Sequence, residues 1–197
     1  MSGKQLVLAS NNAHKVEEVG AILAPLGIVV RPLKDFPEIP EPPETGDTFE
    51  ANALQKARFV YARTGLPTVA DDSGLAVDAL GGAPGVHSKR FSPEARADTN
   101  NALLLQKLAG VEGRRGRFVC ALALVTEAGE AVVRGEVEGD IGHELTGEGG
   151  FGYDPLFWPL EAPGRSMAQL SADEKNAISH RGRAFRQLPA LLEKLKG

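Results

Sequence analysis

Residues 117–126 (RFVCALALVT) are apolar at nearly every position, odd and even alike. A strand with one wet face alternates polar and apolar residues. A strand apolar on both faces must be covered on both sides, so this one belongs in the interior of a sheet with other layers packed on it. Residues 5–9 (QLVLA) read as another short buried strand. A polar turn over 10–14 follows, then a helix over about 15–26 with Val16, Val19, Ile22 and Leu23 on one stripe and Gly27 at its end. Residues 28–31 read as the next strand. Strand, loop, helix and strand in that order suggest a parallel α/β part. The turn at Ala128-Gly129 with an alternating partner over 131–138 suggests an antiparallel hairpin. The expected fold class is therefore α/β, a mixed sheet with helices packed against it.

Between these elements the chain is well punctuated. The segment 32–46 holds five prolines and several acids and reads as a loop. Asp47, with Glu50 three residues on, is the expected cap of a helix that turns Phe49, Ala53, Leu54, Ala57 and Val60 inward and stops at Gly65. A strand over 67–70 delivers Asp71-Asp72-Ser73-Gly74 at its end. Ser92-Pro93 is expected to open a helix, with proline at the first helical position, running to about Ala109. A Gly-rich stretch over 147–152 leads into 153–158, where Leu156, Phe157 and Trp158 read as a core strand. Ser171 and Glu174 form a capping box for a last helical region with possible breaks at Gly182 and Pro189. No internal repeat and no long linker divides the chain, so residues 1–197 read as one domain.

Charge and cysteine content narrow the function classes. A net charge of −4 and a pI near 5.6 argue against a broad basic face for nucleic-acid polymers. They leave room for a local cationic site that binds a small anion. The lone Cys120 lies in the apolar run, reads as a small buried hydrophobe, and permits no intramolecular disulfide. No apolar segment reaches membrane-spanning length and no signal-like run opens the chain, so no membrane partner and a cytoplasmic location are the default expectation.

Four segments carry residue types suited to chemistry. Ser10, Asn11, Asn12, Ala13, His14 and Lys15 join a strand to a helix N-terminus, where backbone N–H groups attract anions; an ordinary capped turn would look the same. Asp71 and Asp72 are adjacent carboxylates aimed from a strand. Such a pair needs a cation, and hard oxygen ligands suit Mg²⁺, with Glu44 and Glu50 near enough in sequence to join. In the segment 149–155 (GGFGYDP), glycines permit close backbone approach, and Phe151 and Tyr153 offer flat faces to a base or to the core. Residues 171–181 bring Lys175, Ser179, His180 and Arg181 together; His180 suits acid–base work, base reading or a helix end. There is no Walker A pattern, no zinc spacing and no Gly-x-Ser-x-Gly elbow. His14, His87 and His143 show no partner in sequence.

Taken in order, SNNAHK at 10–15, ETGDTFEANALQKA at 44–57, ADDSGLAVDALGGAPGVHSKR at 70–90, GGFGYDPLF at 149–157 and LSADEKNAISHRG at 170–182 resemble the inosine triphosphate pyrophosphatase family over nearly the whole chain. The resemblance implies an elongated mixed sheet flanked by helices, two lobes with an active-site cleft between them, and a homodimer. It implies hydrolysis of non-standard purine nucleoside triphosphates (ITP, dITP, XTP) between the α and β phosphates, which keeps them out of DNA and RNA. Carried over residue by residue, Ser10, Asn11, Asn12, Ala13, His14 and Lys15 would bind the triphosphate, and Glu44 and Asp72 would hold Mg²⁺. Asp72 would also accept the proton of the attacking water, and Lys15 would steady the developing charge. Ser73, Phe151, Gly152, Tyr153, Asp154, Lys175, His180 and Arg181 would contact the nucleotide. Ser10 stands where many members have threonine, and the hydroxyl is kept. Two rivals remain at this point: a Maf-like dTTP/UTP pyrophosphatase, and a nucleotide-binding sensor without catalysis.

Overall fold

The doubly apolar run does form an interior strand, and the rest of the chain is arranged around it. The computed structural model describes residues 4–195. In chain order it contains β1 (Lys4–Leu8), α1 (Ala13–Leu23), β2 (Ile28–Pro32), α2 (Phe49–Thr64), β3 (Thr68–Val77), α3 (Ala97–Lys107), β4 (Arg115–Thr126), β5 (Gly129–Ile141), β6 (Phe157–Pro159), α4 (Ala172–Ile178), α5 (His180–Phe185) and α6 (Leu188–Lys194). The strands form one six-stranded sheet in the order β2-β1-β3-β4-β5-β6. β1 pairs in parallel with β2 and β3, and β5 pairs antiparallel with β6, so the sheet is mixed. Only Glu127 and Ala128 join β4 to β5, a connection short enough only for a hairpin.

The chain divides into two compact units that interleave in sequence. One runs to Asp72, resumes over Cys120–Gly135, and takes the C-terminal part from Arg181; the other is Ser73–Val119 with Glu136–His180. Each has its own core. In the first, Cys120, Leu122 and Leu124 of β4 pack with Leu6 and Leu8 of β1, with the α1 stripe Val19, Ile22 and Leu23, and with Phe185, Leu188, Leu191 and Leu192. The alternate residues Val119, Ala121 and Ala123 are fully buried as well. In the second, Leu75, Val77, Leu104, Leu108, Phe118, Val137, Ile141, Leu156 and Phe157 form the centre.

Local chemistry explains most boundaries. Asn12 caps α1 by accepting from the Lys15 amide at 3.1 Å. Ser171 and Glu174 make the expected reciprocal capping box on α4. Gly27 ends the α1 region with a φ of 67°, a conformation that glycine adopts without cost.

Five expectations are corrected. The cap of α2 is Thr48, whose side chain accepts from the Ala51 amide at 3.1 Å; Asp47 is exposed and Glu50 bonds to Arg134 instead. Leu54 is only half-buried, and Asn52 and Lys56 take buried places on α2. Asp71, Asp72 and Ser73 lie inside β3 rather than beyond its end, because the strand continues to Val77. Ser92-Pro93 does not open α3. Ser92 is docked through its amide and hydroxyl on Asn100 Oδ1, and the helix starts at Ala97, after Ala95 at a φ of 52°. The last helical region breaks at Ser179 and again before Leu188; Gly182 lies within α5, and Pro189 sits in the first turn of α6. The proline-rich loop also holds one short 3₁₀ turn, Leu33–Asp35.

The two possible caps of α2 make a direct comparison. Thr48→Ala is expected to cost about 1 kcal/mol of unfolding free energy. Asp47→Ala should stay within about 0.5 kcal/mol of the parent. Urea unfolding of both variants checks the order.

Candidate active site

Adjacent residues of a strand point to opposite faces, and β3 uses this to separate its two carboxylates. Asp72 faces α2. Its Oδ2 accepts from Asn52 Nδ2 at 3.1 Å, and its Oδ1 lies 3.4 Å from Lys56 Nζ. The same ammonium donates to Glu44 Oε1 at 2.6 Å. Asn52 and Lys56 are four residues apart and so share one face of α2. Asn52 also accepts from the Gly46 amide at 2.7 Å, which ties the Glu44 loop to the helix. A Cβ on Gly46 would come within 2.8 Å of the Ala51 Cβ and 3.0 Å of Asn52 Oδ1, so this approach excludes a side chain.

Burial raises the Asp72 carboxyl above the usual range, opposed by the Lys56 charge and the Asn52 hydrogen bond. Burial also works against the Lys56 ammonium, but Asp72, Glu44 and Asp71 together outweigh it and hold its proton more tightly than usual.

Asp71 takes the other face. Its Oδ1 lies 3.1 Å from Lys15 Nζ, its Oδ2 lies 3.5 Å from Arg181 Nε, and Cys120 Sγ is 3.8 Å from Oδ2. Arg181, at the start of α5, also bonds Glu18 of α1. The Asp71 and Arg181 side chains are almost wholly buried, and Lys15 is 14% exposed. Burial lowers the proton affinity of Lys15, and the Asp71 charge opposes that loss. The turn before α1 is ordered by its own polar groups: Ser10 Oγ accepts from the Asn12 amide, and Asn11 reaches Glu41. Asn11, Asn12, Ala13 and His14 are exposed, and Lys15 has a buried counter-charge in Asp71.

A second cluster lies wholly in the other unit. The Gly150 φ of 70° turns the chain so that Asp154 Oδ2 accepts from the Phe151 amide at 2.8 Å; a Cβ on Gly150 would lie 2.1 Å from that oxygen. Lys175 Nζ bonds the same oxygen at 2.8 Å and lies 4.8 Å from the centre of the Phe151 ring. Gly152 is held by Asn101 Nδ2 at 2.9 Å. His180 is buried and stacks on Phe118, with ring centres 4.9 Å apart and planes 16° from parallel. Of the two readings left open for Tyr153, the ring takes the core one. Its ring is buried in the core and its hydroxyl donates to the Ser88 carbonyl at 2.7 Å. Ser73 is half-buried in β3.

The structure thus gathers Lys15, Glu44, Asp72 and Arg181 in one unit and Phe151, Asp154, Lys175 and His180 in the other. Glu50 stays apart from Glu44 and Asp72, on Arg134. Sequence reasoning missed Asn52 and Lys56. The available signal was a polar residue at each of two positions four apart, interrupting the apolar face of α2.

Among the described residues no three His, Cys, Asp or Glu side chains cluster as a closed metal cage. Mg²⁺ does not ask for one: it commonly takes one or two carboxylates and completes its shell with water and substrate phosphate. Glu44 and Asp72 already converge on one cationic group, the Lys56 ammonium, and this donor set fits such an ion.

The Ham1 family model matches residues 6–191. The chain is 54% identical over 196 residues to the dITP/XTP pyrophosphatase of Chromobacterium violaceum, covering 98% of this chain and 97% of the relative. It is 52% identical over 188 residues to the protein of the same name from an Exiguobacterium species, covering 94% and 95%. Among solved structures, the Staphylococcus aureus Ham1 protein superposes with a TM-score of 0.86 at 37% identity, covering 97% of this chain and 99% of that one. A Mycobacterium abscessus structure described as a nucleoside-triphosphatase / dITP/XTP pyrophosphatase gives 0.75 at 47%, covering 95% and 98%. The sequence motifs, the mixed sheet and these likenesses agree, and the chain belongs to the Ham1 family.

Proposed function

We propose that this chain hydrolyses non-standard purine nucleoside triphosphates, ITP, dITP and XTP, to the monophosphate and pyrophosphate. The observation that carries the reading is the cluster on β3, where Asp72 meets Lys56 and Glu44 and Asp71 meets Lys15. Phosphoanhydride hydrolysis needs a placed water and fixed positive charge where negative charge develops. Lys15, in the first turn of α1, supplies such a charge to the triphosphate. Asp72 orients the attacking water and accepts its proton. Glu44 and Asp72 would hold Mg²⁺, which when bound neutralises phosphate charge.

Base recognition falls to the second cluster. Phe151 offers its half-buried ring for stacking, and Lys175 is fixed beside it by Asp154. His180 is the candidate donor to a 6-oxo group, while Arg181 is held by Glu18 and Asp71. A site with buried donors rejects a 6-amino base because the donors would be left unpaired. A homodimer, Mg²⁺ as the working metal and a cytoplasmic setting belong to the same reading. No described helix is long and apolar enough to cross a membrane.

Pyrophosphate release from ITP, XTP, GTP, ATP, dTTP and UTP, with and without Mg²⁺, tests the proposal. Metal-dependent release from ITP and XTP is expected. Release from dTTP and UTP alone would move the chain to the Maf-like specificity, and binding without release would make it a sensor.

Three variants test the assigned parts. Asp72→Asn is expected to fold and to lose about 10²–10³-fold or more in kcat; near-normal turnover would remove Asp72 from the chemistry. His180→Ala is expected to narrow the preference for ITP over ATP, and an unchanged ratio of kcat/KM values would exclude it from base reading. Lys56→Met leaves Glu44 and Asp72 converging without their shared cation. Breaking a buried pair costs about 3–5 kcal/mol, and with Glu44 31% exposed the expected loss is about 2–3 kcal/mol in urea unfolding. Mg²⁺ should raise the Tm of this variant more than that of the parent. Equal responses would count against Glu44 and Asp72 as the cation site.

A further inference from the structure

Four charged side chains lie in a row within one unit: Glu18, Arg181, Asp71 and Lys15. Arg181 bonds Glu18 through Nη1, Arg181 Nε lies 3.5 Å from Asp71, and Asp71 lies 3.1 Å from Lys15. The side chains of Asp71 and Arg181 are 0% and 3% exposed, and those of Glu18 and Lys15 are 16% and 14% exposed. The row is therefore buried at its middle and nears the surface at both ends, at Glu18 and at Lys15 in the first turn of α1. Burying such a row contributes little net stability compared with apolar residues of the same volume. Its charges are balanced, two of each sign, so burial alone does not demand it either. Mutual pairing accounts for the buried charges, but not for placing the outer ammonium in the first turn of α1, the helix end that does not favour a cation.

We propose that Asp71 is a positioning residue for the pyrophosphatase reaction: its carboxylate, steadied from behind by Arg181 and Glu18, fixes the Lys15 ammonium at the N-terminus of α1 for the substrate triphosphate. The proposal rests on the function given above. It assigns the two adjacent carboxylates of β3 different work. Asp72 acts toward water and metal on one face of the strand. Asp71 touches no substrate and acts through Lys15 on the other. A lysine side chain has four rotatable bonds and loses its hold on one place when its counter-charge is removed. A displacement of about 1 Å in a charge-stabilising group is enough to cost about 10²-fold in rate.

Steady-state kinetics on ITP with the full chain, run beside thermal melts, tests this. Asp71→Asn is expected to lower kcat by about 10²-fold with KM changed by much less, because removing a negative charge beside Lys15 does not weaken attraction for a polyanion. Asp71→Glu keeps the charge but crowds a packed place. It is expected to retain more kcat than Asp71→Asn even where its Tm is lower. In a Lys15→Met background, Asp71→Asn should remove little further kcat, because both changes cut the same link. A kcat that follows Tm across Asp71→Asn and Asp71→Glu, or losses that multiply in the double variant, would overturn the proposal. If Asp71→Asn alone gives no cooperative melt, Lys15→Met against Lys15→Met/Asp71→Asn decides by the same criterion, since the double variant leaves one buried charge of each sign. Absence of pyrophosphate release from the unaltered chain is a separate result. It would refute the pyrophosphatase reading, whereas the variants compare one active chain with another.

Discussion

Two adjacent buried carboxylates on an interior strand are the constraint on which the site depends. Burying one unpaired carboxylate costs several kcal/mol, and two in sequence would double the demand. The strand geometry divides it. Asp71 and Asp72 point to opposite faces, and each face supplies its own cation: Lys15 with Arg181 on one, Lys56 on the other. The elements carrying those cations are thereby fixed to β3. α1 brings Lys15, α2 brings Lys56 and Asn52, and the start of α5 brings Arg181. A sequence that changed either aspartate would have to change its partners on a different element as well.

The fold was legible where the pattern of side chains is set by water. Residues 117–126 announced an interior strand because no alternation is needed when both faces are dry, and β4 is that strand. The stripe on α1 and the capping box on α4 were equally readable, since each rests on contacts within a few residues. The misplaced boundaries share a physical reason. Asp47 and Thr48 are both good caps, and only the backbone decides which one reaches the Ala51 amide. Ser92-Pro93 has the look of a helix start. Yet Asn100, eight residues on, captures both the amide and the hydroxyl of Ser92, and the helix begins later. A long-range hydrogen bond of this kind leaves no local trace.

The site was partly legible for a similar reason. Asp72, Glu44 and Lys15 drew attention as charges at unusual places. Lys56 and Asn52 did not, because a polar residue within a helix is ordinarily a solvated one. Their burial follows only from the tertiary position of α2. Tyr153 was open in sequence between a stacking face and a core ring. An aromatic residue in a Gly-rich loop suggests an exposed stacking surface, but the loop is tight enough to send the ring inward. Gly150 closes the turn on Asp154, and the Tyr153 hydroxyl finds the Ser88 carbonyl in the core.

The same loop shows how a flexible composition yields a rigid site. Glycine is costly to order, yet here its freedom is spent in making bonds that no other residue permits. Asp154 receives the Phe151 amide and the Lys175 ammonium on one oxygen, and Asn101 holds the Gly152 carbonyl. Phe151 is thereby fixed at the ring by Lys175 and at the backbone by Asp154. On the proposed function, a ring so held would lose little further freedom when a base arrives, leaving more of the stacking energy for binding. The carboxylate of Asp154 thus relates to Phe151 and Lys175 much as Asp71 relates to Lys15 and Arg181. In each unit a buried acid holds a cation of the candidate site in place.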